Sequence, residues 1–350
     1  VSYHFPICHL FYYPTQVVLV DDDAHFLDSV SLLLDRSLNY RLFQSARQAL
    51  DHVNMSVYHG DVIRRCYSSY KTGPFDSDTL SHIDINSLHK EIYNPDRFLM
   101  PSVVVIDYSM PEMSGLEYCV SLTNPYVKKI LLTGRANNDL AVQAFNEGLI
   151  DQFISKKDPQ LAQKLNRSIA SLQHQFFSRS FKLLTDPVIA NSQSRFISDP
   201  EFIEFFNILR TEHGIVEYYL VDMPYSGFLL LDDRGRVSLV LIMAHTALQE
   251  HFRQCRARGA PQDLLAALEE GAMMPLFNIG NEGEHLNEEF FAKWRTHYAH
   301  SFRVSNDSPY FTAQLGEAPT LALIPELRKQ DIQAYAAHLG APRPTEKFLH

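Results

Sequence analysis

The sequence predicts a two-part α/β fold: a doubly wound, five-stranded parallel sheet with helices on both faces, then an α+β domain with antiparallel strands. Three observations predict it. Val103, Val104, Val105 and Ile106 form a β-branched run without polar alternation, the mark of a strand buried on both faces. Segments of helical periodicity stand between such runs, and strands alternating with helices imply a parallel sheet. The 350 residues exceed a single domain, at roughly 100–200 residues each.

The elements follow in order. Residues 16–35 read as a buried strand and then a helix, with Phe26, Leu27, Val30, Leu33 and Leu34 at helical spacing. Residues 40–44 form a short second strand, and Ser45 caps a helix over 45–53. The third, fourth and fifth strands are "SVVVID", "KKILLTG" and "DQFISK", with helices near 115–123 and 138–147 between them. Residues 54–100 interrupt this alternation and are read as an insertion, since a connection so long has no place in a simple βα unit. The resulting division is an N-terminal extension at 1–15, a sheet domain at 16–157, a helical linker at 158–185 and an α+β domain at 186–350.

The linker carries Leu161, Leu165, Ile169, Leu172 and Phe176 as an apolar stripe. A helix of that length outreaches the sheet, so the stripe is expected to be core near its start and, where the far end projects, a seam for a partner. In the last domain Ser198 and Glu201 fit a capping box, with Pro200 inside the first helical turn. Strands follow at "VEYYLVD", "GFLLLDDRG" and "RVSLVLIM", helices at 244–258, 261–270 and 287–300, and a hairpin at 310–324.

Composition narrows the function. With 45% hydrophobic and 21% charged residues the chain is an ordinary globular protein. The net charge of −10 is unlike that of a polyanion binder. Cys8, Cys66, Cys119 and Cys255 form no C-x-x-C pair, which excludes a zinc ribbon and a secreted disulfide framework and points to a reducing cytoplasm. No apolar run reaches the about 20 residues of a spanning helix, so no membrane insertion is expected. The first residues have neither a basic start nor a small-residue cleavage site.

Asp107 directly follows the third strand and precedes a turn built from Pro111 and Gly115. At the carboxyl edge of a parallel sheet such an acid is either a turn-former or a reactive group. Asp21 and Asp22 close the first strand, Thr133 the fourth and Lys156 the fifth, so all five converge on that edge. Crowded carboxylates raise one another's pKa unless a divalent cation neutralises them, and hard oxygen ligands suit Mg²⁺. With a hydroxyl and an ammonium added, the pocket can hold a phosphoryl group.

The motifs "VDDD", "DYSMPEMSG", "LLTG" and "FISK" make residues 16–180 resemble the receiver domain of two-component response regulators, a flavodoxin-like fold. The resemblance implies that a sensor histidine kinase or phosphotransfer protein phosphorylates Asp107. Asp21, Asp22, Asp107 and the Ser109 carbonyl would hold Mg²⁺, Thr133 and Lys156 would bind the phosphoryl group, and Phe153 would be the switch aromatic. Because the fifth helix runs on into the linker stripe, phosphorylation is expected to promote a homodimer through the face made by the fourth helix, the fifth strand and the fifth helix. The extended receiver with an unassigned output domain resembles the quorum-sensing response regulators of α-hydroxyketone signalling.

Three departures stand out. Asp22 and Asp107 are unusually far apart because of 54–100, Lys157 stands where receivers place Pro, and the stretch from Gly148 to Asp151 is one residue longer than typical. A non-proline cis bond costs about 3 kcal/mol, so the local turn can differ and Lys157 can compete with Lys156.

Weaker signals have plain readings. His297 and His300 near Trp294, Glu284, His285, Glu288 and Glu289 lack tight ligand spacing and read as a helix face. His245 reads as a helix cap, and Arg253, Arg256 and Arg258 as complements to a helix end before Gly259. The output domain shows no catalytic or helix-turn-helix signature. A module that binds protein or small ligand is the reading of first choice; a nucleic-acid effector and an enzyme are the alternatives.

Overall fold

In the computed structural model the described residues are 8–56, 66–71, 79–134, 138–190, 192–222, 226–277, 286–305 and 308–340. The chain divides into two compact units. One comprises Tyr13–Arg65, Asn94–Leu183 and Tyr335–His350, the other Val1–Tyr12, Cys66–Tyr93 and Leu184–Ala334.

The first unit runs β1 (Gln16–Val20), α1 (Ala24–Ser31), β2 (Tyr40–Phe43), α2 (Ala46–Asn54), β3 (Pro101–Asp107), α3 (Gly115–Ser121), β4 (Lys128–Thr133), α4 (Asn138–Asn146), β5 (Gln152–Ser155) and α5 (Leu161–Ser180). Its sheet has the order β2-β1-β3-β4-β5, with every pair parallel. Successive strand side chains point to opposite faces, and here both faces are core. Val18, Val20, Val104, Ile106 and Leu131 cluster with Ala49 and Val53 of α2, Tyr118 and Cys119 of α3, and Ala141 and Ala144 of α4. Val17, Leu19, Val103, Val105, Ile130 and Leu132 cluster with Leu27 and Val30 of α1 and with Leu165, Ile169 and Leu172 of α5. Side chains satisfy the helix starts: Asp23 accepts from His25 and Phe26, Ser45 accepts from Gln48, and Ser114 with Glu117 makes a full capping box.

At the opposite end of β4 from the acids, Lys128 is buried and its ammonium lies 2.7 Å from Asp151. Asp151 also accepts the Lys129 amide at 2.9 Å, which fixes the turn into β5 where the sequence is one residue longer. The end of that turn's helix needs Gly148, whose φ is +72°.

The apolar stripe of α5 does not project. Leu165, Ile169 and Leu172 are spent on the sheet, Phe176 is fully buried, and the Phe177 ring meets Tyr13 at 5.3 Å. The stripe is therefore core, and a seam for a second copy along it is ruled out. After Phe181 a new helix, α6 (Lys182–Ala190), begins.

The second unit contributes α7 (Pro200–Glu212), β6 (Ile215–Asp222), β7 (Ser226–Asp232), β8 (Val237–Ala244), α8 (His245–Ala257), α9 (Gln262–Glu269), β9 (Met273–Pro275), α10 (Glu288–Ala292), β10 (Tyr298–His300), β11 (Phe302–Arg303), β12 (Tyr310–Leu315) and α11 (Glu317–Leu323). Its six-stranded sheet is antiparallel: the short strand Phe11–Tyr12, then β6, β7, β8, β12 and β11. Of the interrupting stretch 54–100, Cys66–Tyr93 belong to this unit. Tyr67–Lys71 and Thr79–Ile83 pair with each other, and the 3₁₀ stretch Ile85–Tyr93 packs beside β6. The Tyr93 hydroxyl accepts the Arg328 amide at 2.8 Å. Residues 57–65 and 72–78 of that stretch lie outside the described residues.

Three sequence expectations are corrected here. The cap of α7 is Asp199, which accepts from Glu201 and Phe202, because it stands directly before Pro200 at the first helical position; Ser198 ends the preceding 3₁₀ turn. The expected hairpin at 310–324 is strand β12 followed by helix α11: Pro319 sits in the helix's first turn, where a missing N–H costs nothing. The expected helix at 287–300 stops at Ala292, and Tyr298–His300 pair with β9 instead, so His297 and His300 share no helix face. Glu284 and His285 lie outside the described residues.

Inside this unit His251 of α8 is fully buried. Its Nε2 lies 2.8 Å from the Tyr298 hydroxyl and 3.4 Å from Cys255 Sγ. Burial pulls the imidazole pKa down to about 4 and pushes the thiol up. No helix among the described residues is long and apolar enough to cross a membrane.

Candidate functional site

Strand register brings the site together. Val20 pairs with Ile106, Asp107 with Leu132, and Thr133 with Ser155, so β1, β3, β4 and β5 end level with one another. The strand order reverses direction at β1 and β3, and a crevice opens outside the carboxyl ends at such a point. Asp21 and Asp22 leave β1 there, Asp107 closes β3, Thr133 closes β4 and Lys156 leaves β5.

Asp21 and Asp107 are buried and Asp22 is exposed. One oxygen from each of the three lies within 4.8 Å of the others. The Lys156 ammonium stands between the two buried acids, 2.6 Å from Asp21 Oδ2 and 2.8 Å from Asp107 Oδ1. Burial raises the pKa of Asp21 against the opposing pull of Lys156. For Lys156 burial works the other way, but its hydrogen bonds to Asp107 and Asp21 and their charges outweigh it and raise its pKa. The ammonium also lies 4.5 Å from the centroid of the Phe26 ring on α1.

The loop after Asp107 is built to fit closely. The Ser109 amide donates to Asp107 Oδ2 at 3.2 Å, and the Gly115 amide donates to the Tyr108 carbonyl at 2.9 Å. A Cβ on Gly115 would overlap the Asp107 carbonyl oxygen and come within 2.8 Å of Leu131 Cδ1. Only glycine lets α3 start this near β3. Further along, the Glu112 carboxylate takes the Arg47 amide at 2.9 Å and the Ser45 hydroxyl, tying the loop to the start of α2. Those hydrogen bonds, the Arg47 amide first, hold its pKa below the ordinary carboxylate range.

Of the residues expected in the site, Asp21, Asp22, Asp107 and Lys156 are brought into one cluster. Thr133 is fully buried at the end of β4, and its carbonyl accepts the Lys156 amide at 3.0 Å. Phe153 lies on β5 and is more than a third exposed, its ring 6.3 Å from that of Phe145. Lys157 is exposed, and its neighbour Lys156 is the lysine that meets the acids. His245 opens α8, and its Nδ1 is 3.1 Å from the Arg303 guanidinium. Phe26 and Glu112 went unnoticed as site residues. Phe26 carries an apolar helix signal only, and Glu112 meets α2 through a pairing no local spacing announces.

In the second unit α8 and α9 are joined by a tight turn in which Gly259 has φ +75°, a helix-turn-helix outline. The second helix, however, exposes Gln262, Asp263, Ala266 and Glu269 and no cation. Such a face repels phosphate.

The three-carboxylate cluster supplies hard oxygen donors with one side, at Asp22, open to solvent, and this donor set fits Mg²⁺. A parallel β2-β1-β3-β4-β5 sheet with acids at two strand ends and a lysine at a third defines a receiver domain, and the chain belongs to the response regulators. No family model and no curated protein matches it. The solved structure of the Legionella pneumophila response regulator LqsR is similar over 99% of this chain and 100% of that chain, at 32% identity and a TM-score of 0.76. A response regulator receiver domain protein from Clostridium thermocellum is 20% identical over 49% of this chain and 99% of that one, with a TM-score of 0.30. A CheY-like receiver domain protein from Methanospirillum hungatei is 21% identical over 46% and 96%, with a TM-score of 0.29.

Proposed function

We propose that Asp107 accepts a phosphoryl group from a sensor histidine kinase or phosphotransfer protein, with Mg²⁺ as cofactor, and that this event controls the second unit. The observation that carries the reading is the Lys156 ammonium seated between Asp21 and Asp107 beside the exposed Asp22. In the transfer an Asp107 oxygen forms the new O–P bond while the donor's N–P bond breaks and its electron pair stays on the imidazole nitrogen. Lys156 and the Thr133 hydroxyl bind the phosphoryl oxygens, which suits a reaction governed by positioning and charge stabilisation. Asp21, Asp22, Asp107 and the Ser109 carbonyl would hold Mg²⁺, which would supply positive charge to the phosphoryl oxygens.

The test is labelling by acetyl phosphate. Asp107→Asn is expected to fold, since the amide is nearly isosteric, and to take no label; EDTA is expected to suppress labelling of the wild type. Wild-type labelling of Asp107→Asn would overturn the assignment.

Downstream, the reading is a homodimer formed on phosphorylation through α4, β5 and α5, with Phe153 as the switch aromatic. Leu140, Val142, Phe145 and Phe153 support it, as large apolar side chains more than a third exposed on α4 and β5. Ultracentrifugation with and without beryllofluoride tests it. The second unit serves as an output module for a protein or small ligand, a reading favoured over a nucleic-acid effector by the anionic surface of α9. The resemblance to quorum-sensing regulators supports a reading in which the signal belongs to that process and is received in the cytoplasm.

A further inference from the structure

We infer that Phe26 is a positioning residue that holds the Lys156 ammonium over the acceptor; the inference rests on Asp107 being the phosphoryl acceptor. The negative face of an aromatic ring attracts a cation within about 6 Å of its centroid, and here the separation is 4.5 Å. The ring is itself fixed. Phe26 packs against the core that includes Val17, Leu19 and Leu27, and its own amide donates to Asp23 Oδ1 at 3.2 Å in the first turn of α1. The acidic run that ends β1 thus anchors the ring as well as lining the pocket.

The physical reason for such a device lies in what changes during the reaction. A lysine side chain has four rotatable bonds, and in this structure its ammonium is held by two carboxylates and one ring. Both carboxylates alter their charge or partners when a divalent cation binds and when Asp107 is phosphorylated. The ring does neither. Among the described contacts of the ammonium it is the one whose strength survives the whole cycle, so it limits the wandering of Lys156 at the moment when the phosphoryl group arrives.

The experiment uses the full chain with Mg²⁺ and acetyl phosphate under single-turnover conditions. Phe26→Leu and Phe26→Met, which fill the space without a ring, are expected to slow labelling about 2- to 5-fold, the range of a partly exposed cation–π contact. Phe26→Tyr is expected to restore the rate. In a Lys156→Ala background the same substitutions are expected to change nothing further, which a merely structural role for Phe26 would not produce. A second readout needs no phosphodonor: ring current shifts the Lys156 Hε resonances upfield, and Phe26→Leu is expected to return them to the ordinary lysine position. Equal rates in wild type and Phe26→Leu, an undiminished loss in the Lys156→Ala background, or unshifted wild-type resonances would each overturn the inference. Absence of label from the wild type would instead defeat the acceptor assignment, while the resonances still decide the contact.

Discussion

Replacing Gly115 by Ala tests how tightly α3 abuts β3. The new methyl would overlap the Asp107 carbonyl oxygen and stand 2.8 Å from Leu131 Cδ1 and 3.1 Å from the Asp107 carbonyl carbon. Leu131 can turn aside. The carbonyl cannot, because β3 is locked in register with β4 and the Tyr108 amide beside it donates to Leu132 at 3.0 Å. Helix α3 must therefore shift outward, and overpacking of this kind costs about 1–3 kcal/mol. Against this, Gly→Ala at the first residue of a helix gains about 0.4–1 kcal/mol by restricting the unfolded chain. Because the nearest overlap is with backbone, the upper part of the first range applies, and the net loss is about 1–2.5 kcal/mol, read by urea denaturation. Because the shift drags the Ser109–Ser114 loop, labelling of Asp107 slows as well. Leu131→Val removes the δ-methyl groups, so the double variant is expected to lose less than the sum of the two single losses. Unchanged stability in Gly115→Ala would refute the close approach, and strict additivity with Leu131→Val would confine its cost to the Asp107 carbonyl.

Two more expectations concern buried charge. Lys128→Met keeps the volume and leaves Asp151 partly solvated with the Lys129 amide, whereas Asp151→Ala strands a buried ammonium, so the second is expected to cost about 3–5 kcal/mol and the first clearly less; equal losses in denaturant titrations would contradict the pairing. His251 is neutral in the folded protein with its pKa pulled down to about 4, while the unfolded chain takes up its proton near 6.5. Its contribution is therefore fully present above pH 6.5 and lost as the pH falls towards 4, at most about 3 kcal/mol. Stability measured against pH is expected to fall across that window in the wild type and less steeply in His251→Gln; parallel curves would refute it.

Much of the parallel sheet was legible because its strands are core on both faces and so lack alternation, which is the signature of Val103–Ile106. The acids were legible for a related reason: a carboxylate directly after such a run has only the sheet edge to occupy. What escaped depends on partners distant in sequence. Phe11 and Tyr12 are two residues long as a strand and take their identity from Tyr219 and Tyr218. Leu172 and Phe176 carry a stripe that would suit a seam equally well, and only packing against residues distant in sequence buries them. The helix at Glu317–Leu323 escapes the sequence because Ala and Leu around a Pro suit strand and helix equally.

The chain passes from one unit to the other at 12–13, 65–66, 93–94, 183–184 and 334–335. A regulator whose sensor and effector are strung end to end can exchange its effector by recombination at a single linker. This one cannot. A cut at 183 would give the incoming module no Phe11–Tyr12 edge strand and no Cys66–Tyr93, and would leave those pieces attached to a receiver that has no use for them. On the ribosome the same weave makes Phe11 wait for Tyr219 to be synthesised before its sheet can form, so this strand stays unpaired until most of the other unit has been made. The interleaving thus bears on descent: the two units are inherited as one piece.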